Sequence, residues 1–263
     1  MPYAKVNGIN ICYEVRGEGL PVVLIGGLGS QMSSWAAQVP LYSRHFKVIV
    51  FDNRGAGLSD KPTDAYSIED MADDTVELID SLGIQSAFFV GKSMGGMIAQ
   101  WIGIKYPEKV NRLVLACTSA SRDEVGNEIL RMGREIAIRV GMKAVWLTAL
   151  FLGYTREYLE TNLGNIKETL ALIPENKEAI DGYIGQSLAC EGHNTKDLVS
   201  KIKVPTLVML GDRDQIASPR RSRELVELIP GAKLLVFKGV GHGFWRERQE
   251  EVDNLVMEFL LEG

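Results

Sequence analysis

The run Gly91-Lys92-Ser93-Met94-Gly95-Gly96 decides how the chain is read. Ahead of it stands Ser86-Ala87-Phe88-Phe89-Val90, an apolar run of strand length. Behind it, residues 97–106 are long enough for a helix and are stopped by Pro107. A G-x-S-x-G motif between a strand and a helix makes a tight turn. Small residues are needed where the two backbones approach; Gly91 and Gly95 supply them, and Gly96 lets the helix pack close to its neighbours. Ser93 then projects from a strained turn at the positive end of a helix dipole, the setting a nucleophilic serine requires.

Toward the amino terminus, Asn7-Gly8 between the β-prone runs 3–6 and 9–15 predicts a hairpin. Residues 21–25 are a continuous apolar run, expected in the middle of a sheet, and lead straight into Gly26-Gly27-Leu28-Gly29-Ser30. A short helix is expected over 34–43 and a buried strand over 46–51, closed by the loop Asp52-Asn53-Arg54-Gly55-Ala56-Gly57. Ser67 with Asp70 has the pattern of a capping box. Ile68, Met71, Thr75, Leu78, Ile79 and Leu82 then share one helical face, and Gly83 is placed to end that helix. Residues 110–116 form the next strand. This alternation predicts an α/β fold with a mostly parallel sheet, helices on both faces and an antiparallel hairpin at the amino end.

At Arg122 the alternation stops. Residues 122–194 carry no strand pattern; Ile129, Met132, Ile136 and Val140 make a helical stripe, and 158–172 and 177–190 also read as helices. The pattern resumes with a short segment near 197–202, a strand at 206–210, a helix at 219–229, a strand at 233–237 and a last helix over 246–261. The chain is therefore expected to divide into a core of residues 1–121 and 195–263 and a helical insertion of residues 122–194.

Composition narrows the functional classes. The 263 residues are 46% hydrophobic with a net charge of -5, and no Lys/Arg-rich run occurs, so nucleic acid is not an expected partner. Residues 1–8 have no apolar core of a signal peptide, and the most apolar stretch, 144–152, is far short of the roughly 20 residues a membrane span needs. Cys12, Cys117 and Cys190 have no metal-site spacing and are odd in number, as free thiols of a cytoplasmic protein would be. No metal or cofactor is expected, and the partner expected is a small molecule, bound by a monomer or homodimer.

A serine hydroxyl needs a base, and the base needs an orienting group. Of the three histidines, His45 lies just before a strand, at the end away from the motif loop. His193 lies where the insertion returns to the sheet, and His242 lies in a Gly-flanked loop just past the last strand. Loops at the carboxyl ends of parallel strands gather on one edge, which makes His242 the expected base for Ser93. The loop after residues 206–210 offers Asp212 and Asp214 as orienting acids. An oxyanion would be held by the backbone N–H of Met94 and by one from Gly26-Gly27-Leu28-Gly29, that of Leu28.

With these parts in place the chain resembles the α/β-hydrolase superfamily over essentially its whole length, among its members the small carboxylesterases and the enol-lactone and methyl-ester hydrolases. Gly91–Gly96, Gly211-x-x-Asp214 with Pro219 behind it, Gly241-His242, and Asp52-Asn53-Arg54-Gly55-x-Gly57-x-Ser59 carry the resemblance. It implies a Ser93–Asp214–His242 triad, with Asp214 and not Asp212 as the acid, and residues 122–194 as a cap over the site. It also implies hydrolysis of esters or lactones through an acyl-enzyme. A C–C bond hydrolase, a cofactor-free perhydrolase and a ligand receptor of the same fold remain alternatives. Apolar faces of the cap, with Trp146 and Leu150, are expected to meet an apolar substrate group. Two positions depart from the family pattern. Gly26-Gly27 stands where His-Gly is common, and Lys92 stands where His, Asn or Phe is common. Lys92 is expected to snorkel to solvent; the alternative is that it adds positive potential and favours anionic substrates.

Overall fold

The computed structural model describes residues 1–262. Eight strands form one sheet in the order β1-β2-β4-β3-β5-β6-β7-β8. Their ranges are β1 Tyr3–Val6, β2 Ile9–Arg16, β3 Pro21–Ile25, β4 Lys47–Phe51, β5 Ala87–Lys92, β6 Val110–Ala116, β7 Thr206–Gly211 and β8 Lys233–Phe237. Strands β3 to β8 are parallel; β1 and β2 run antiparallel, with Asn7 and Gly8 both at positive φ in the turn that joins them. That is the turn Asn-Gly favours.

Two hydrophobic layers cover the sheet. On one face lie α2 (Ile68–Ser81), α3 (Met94–Lys105) and α9 (Pro219–Leu228), through residues such as Ile79, Ile98 and Leu225. On the other lie α1 (Gln38–Tyr42), α10 (Phe244–Glu247) and α11 (Gln249–Leu261), through Tyr42, Phe244 and Val256. The Ser67–Asp70 capping box is formed in both directions at the start of α2, and Gly83 follows its end at φ +70°. Between β6 and β7 come five helices: α4 (Glu124–Arg139), α5 (Met142–Gly153), α6 (Arg156–Thr161), α7 (Leu163–Ala171) and α8 (Lys177–Glu191). A single antiparallel bridge between Ser121 and Asn194 closes the neck of this segment. Among the described residues no helix is long and apolar enough to cross a membrane.

Several expected helices are broken. Residues 34–43 form a 3-10 turn at Met32–Trp35 and then α1, because Pro40 has no N–H to give Ala36 and is tolerated only in a first turn. The segment 158–172 breaks at Asn162 into α6 and α7, and the last helix breaks at Arg248, where φ is -122° and ψ is 40°. The α4 stripe is also displaced: Leu130 and Ala137 are buried with Gly126 and Gly133, while Met132 and Val140 are exposed.

The strand order sets the site's position. From β3 the chain goes outward to β4, then crosses to the other side of β3 as β5. The carboxyl ends of β3 and β5 therefore meet where the winding reverses, and the loops leaving them diverge to open a crevice. Ile25 is in register with Gly91 at that point.

That closeness has a measurable cost to any added carbon. A Cβ on Gly95 would stand 2.2 Å from the Ile25 carbonyl oxygen. Gly95→Ala should lose about 3 kcal/mol of unfolding free energy in urea, since backbone rather than a flexible side chain must give way. Wild-type stability for this variant would mean the two strand ends are not held in contact.

Candidate active site

Ser93 sits between β5 and α3 at φ 56° and ψ -117°, a conformation that side chains rarely adopt. The backbone around it is tied down. The Ser93 N–H donates to the Ala116 carbonyl at 2.8 Å, and its own carbonyl accepts from Gly96 and Met97 at 2.9 and 3.2 Å. A Cβ on Gly91 would fall 2.2 Å from the Gly95 carbonyl oxygen, so the strand can enter this turn only as glycine.

The loop after β3 forms the facing wall. A Cβ on Gly27 would lie 3.3 Å from the Ser93 Cβ, so this loop rides directly on the serine. The hydrogen bonds of the described residues leave the N–H groups of Leu28 and Met94 without an acceptor. The loop is held by a residue that sequence reading missed. Gln186 of α8 accepts from the Gly29 N–H at 2.7 Å and donates to the Arg54 carbonyl at 2.7 Å. A glutamine inside a helix gives no sequence signal of this kind.

Behind the serine, the loops after β7 and β8 pack backbone to backbone; a Cβ on Gly211 would stand 2.3 Å from the Gly241 carbonyl oxygen. This brings Asp214 to His242, with Oδ2 2.7 Å from Nδ1. The other carboxylate oxygen of Asp214 accepts from the N–H groups of Ile216 and Ala217, each at 2.8 Å. As the acceptor, Oδ2 fixes the proton on Nδ1, which leaves Nε2 as the basic nitrogen. Burial opposes the imidazolium of His242. The Asp214 carboxylate, together with the Cys117 thiol within hydrogen-bond reach, overrides burial and holds the pKa well above the usual histidine value. Cys117 follows β6 at φ 45°, and its place beside His242 was also not legible in the sequence.

Asp212 is a different kind of residue. Its Oδ1 accepts from the Gly239 N–H in the neighbouring loop at 2.7 Å, and the residue is exposed. His45 is exposed before β4. His193 is buried at the neck of the helical segment, where burial pulls its pKa down to about 4. His45 precedes the amino end of β4, His193 stands by Ser119 and Arg122 after β6, and neither lines the cavity that holds Ser93 and His242.

A cavity of about 630 Å³ brings together Ser93, His242, Leu28, Met94, Trp146 and Leu150. Ile129 and Met132 of α4 also line it, which is why that apolar stripe is not fully buried. The helical segment is pinned at both ends of the crevice. Gly153 accepts from the Gly243 N–H at 2.8 Å beside His242, Thr155 is bonded through its N–H to Glu247 at 3.0 Å, and Gln186 holds the opposite loop.

Lys92 does not snorkel to solvent. Its Nζ lies 3.5 Å from the centroid of the Trp35 ring and 5.4 Å from that of Trp245, at the cavity wall. Burial pulls its pKa down to about 8. The indole faces offer the ammonium an electrostatic attraction that water would otherwise supply, and so keep the chain turned inward.

Residues 21–245 match the family model of the alpha/beta hydrolase fold, and the chain belongs to that family. The crystal structure of an enol-lactonase from Burkholderia xenovorans LB400 superposes with a TM-score of 0.92 at 31% identity, over 99% of this chain and 100% of that one. A 3-oxoadipate enol-lactonase of Acinetobacter baylyi is 26% identical, over 82% of this chain and 80% of the relative. A protein of Azorhizobium caulinodans, RutD, named provisionally as a carbamate hydrolase, is 25% identical over 98% of both chains.

The two aspartates predict opposite titrations. In the NMR titration of His242, wild type should ionise well above pH 6.5, and Asp214→Asn should bring the midpoint down, since the anion on Nδ1 is gone and burial remains. Asp212→Asn should leave the midpoint in place. An unmoved midpoint in Asp214→Asn, with a shift in Asp212→Asn, would reverse the roles of the two residues.

Proposed function

We propose that this α/β hydrolase cleaves carboxylic esters or lactones of small substrates through an acyl-enzyme formed on Ser93. The observation that carries the reading is one cavity wall holding a strained Ser93, two N–H groups without acceptors, and a histidine already bound to a buried carboxylate. Ser93 Oγ attacks the substrate carbonyl and His242 takes its proton at Nε2. Asp214 orients the imidazole and stabilises the imidazolium. The N–H groups of Leu28 and Met94 receive the oxyanion, and Met94 adds the positive end of the α3 dipole. His242 returns the proton to the departing alcohol; water, activated by the same imidazole, then releases the acid.

Residues 122–194 act in this reading as a cap, with core residues 1–121 and 195–263 beneath it. Trp146 and Leu150 then contact the apolar part of the substrate. The enol-lactonase relatives support an acyl carbonyl as the target. The RutD relative makes a carbamate the competing acyl group. The protein works as a monomer or homodimer in the cytoplasm and uses no cofactor.

A panel of short esters, lactones and carbamates should show turnover with esters or lactones leading. Ser93→Ala should lower kcat by about 10⁴- to 10⁶-fold, the scale of losing a serine-hydrolase nucleophile. Near-normal turnover by that variant, or a preference for carbamates across the panel, would contradict the reading.

A further inference from the structure

Gln186 lies in the middle of α8 and is fully buried, yet both bonds of its amide leave its own helix. A buried amide needs partners, and these two lie outside the helical segment. Its carbonyl oxygen accepts from the Gly29 N–H and its NH2 group donates to the Arg54 carbonyl, each at 2.7 Å. Arg54 is itself anchored: its guanidinium donates to Asp74 at 2.6 Å and lies 5.3 Å from the centroid of the Tyr66 ring. One side chain thus joins α8 to the loop after β3 and to a fixed point in the loop after β4.

The loop after β3 has two forms open to it. The Ser30 N–H donates to the Gly27 carbonyl at 3.1 Å and closes a four-residue turn with Leu28 and Gly29 at its centre. Gly29 has φ +68° and Leu28 is not at positive φ, which makes the turn type II. The type I turn over the same residues differs by the rotation of one peptide group, Leu28–Gly29. That rotation would carry the Gly29 N–H away from Gln186 and bring the Leu28 carbonyl round to it. Two carbonyl oxygens repel, so the Gln186 oxygen admits only the type II form. The amide cannot turn over to offer its NH2 group instead, because Arg54 holds that end. The residue whose ψ is at stake, Leu28, carries one of the two N–H groups without an acceptor beside Ser93.

The bond to Gly29 exists only where α8 is seated. A Cβ on Gly182, one turn before Gln186, would stand 2.1 Å from the Gly55 carbonyl oxygen, so helix and loop touch backbone to backbone. Tyr183 of the same helix lines the cavity, and a Cβ on Gly29 would meet its ring at 3.4 Å. We propose that Gln186 is a positioning residue for the oxyanion hole: it selects the turn that presents the Leu28 N–H to the substrate, and only while α8 rests on Gly55. A helix lifted from Gly55 carries Gln186 off, and the turn is then free to flip. Displacing a group that must meet the reacting atoms by about 1 Å costs on the order of 10²-fold in rate. The role of Leu28 rests on the acyl transfer proposed above; the choice between the two turns does not.

Hydrogen exchange and kinetics separate the claims. Amide exchange over residues 26–30, followed by mass spectrometry, should be faster in Gln186→Met than in wild type, because the Gly29 N–H has lost its acceptor. Hydrolysis of p-nitrophenyl butyrate by Gln186→Met should lose about 10²-fold in kcat, with KM close to that of wild type. A side chain that merely docks the helix would move KM instead, since the helix lines the cavity. Gly182→Ala, which lifts α8 with Gln186 intact, should lower kcat as well, and adding Gln186→Met should bring no further loss. Gly185→Ala, whose added carbon would stand 2.8 Å from the Tyr66 hydroxyl, serves in its place if that protein does not fold. Unchanged exchange in Gln186→Met overturns the proposal. So does a KM effect with kcat intact, or a double variant whose losses multiply. Faster exchange alongside a wild type that hydrolyses no ester or lactone supports the selected turn and counts against the proposed esterase alone.

Discussion

The Ile25 carbonyl occupies the space a side chain on Gly95 would need. Much of the site follows from that contact. It holds the end of β3 against the turn after β5 at the point where the sheet's winding reverses. Pressed there, the chain can enter α3 only by sharp reversal, and Ser93 takes the strained φ of 56°. The loop after β3 is then close enough for Leu28 to join Met94 beside the serine. Backbone hydrogen bonds to Ala116, Gly96 and Met97 hold the strained conformation in place and do not involve the side chain.

Charge is handled differently on the two sides of Ser93. Asp214 is buried, but its oxygens accept from two backbone N–H groups and from His242, so it is a satisfied acceptor that imposes order on the imidazole. Asp253 plays a similar part behind Lys92, where it gathers Gln38, Tyr42 and Trp245 and so fixes the indole on which the ammonium leans. Lys92 has no such hydrogen-bonded partner among the described residues and rests instead on the indole faces of Trp35 and Trp245.

Most of the frame was legible in the sequence because its signals are local. Asn7-Gly8, the capping box at Ser67, the apolar strands and the glycines of the motif each dictate backbone geometry within a few residues. The positions of Ser93, Asp214 and His242 on one sheet edge followed from parallel strands having their carboxyl ends together. What escaped depends on long-range contact. Gln186 reaches Gly29 across 157 positions, Cys117 meets His242 only through the packing of neighbouring loops, and Lys92 turns inward because Trp35 and Trp245 happen to receive it. The helix breaks at Asn162 and Arg248 were missed because neither position carries a proline or glycine; at Asn162 the side-chain amide donates locally to the Tyr158 carbonyl at 2.9 Å.

The central claim, that Ser93 is the acylated group, is tested most directly by covalent labelling. The protein is treated with a fluorophosphonate and digested, and the modified peptide is identified by mass spectrometry. The account predicts one adduct, on Ser93, formed fast in wild type and far more slowly in His242→Ala, where the base is absent. An active enzyme that takes no label, or takes it on a residue other than Ser93, would contradict it.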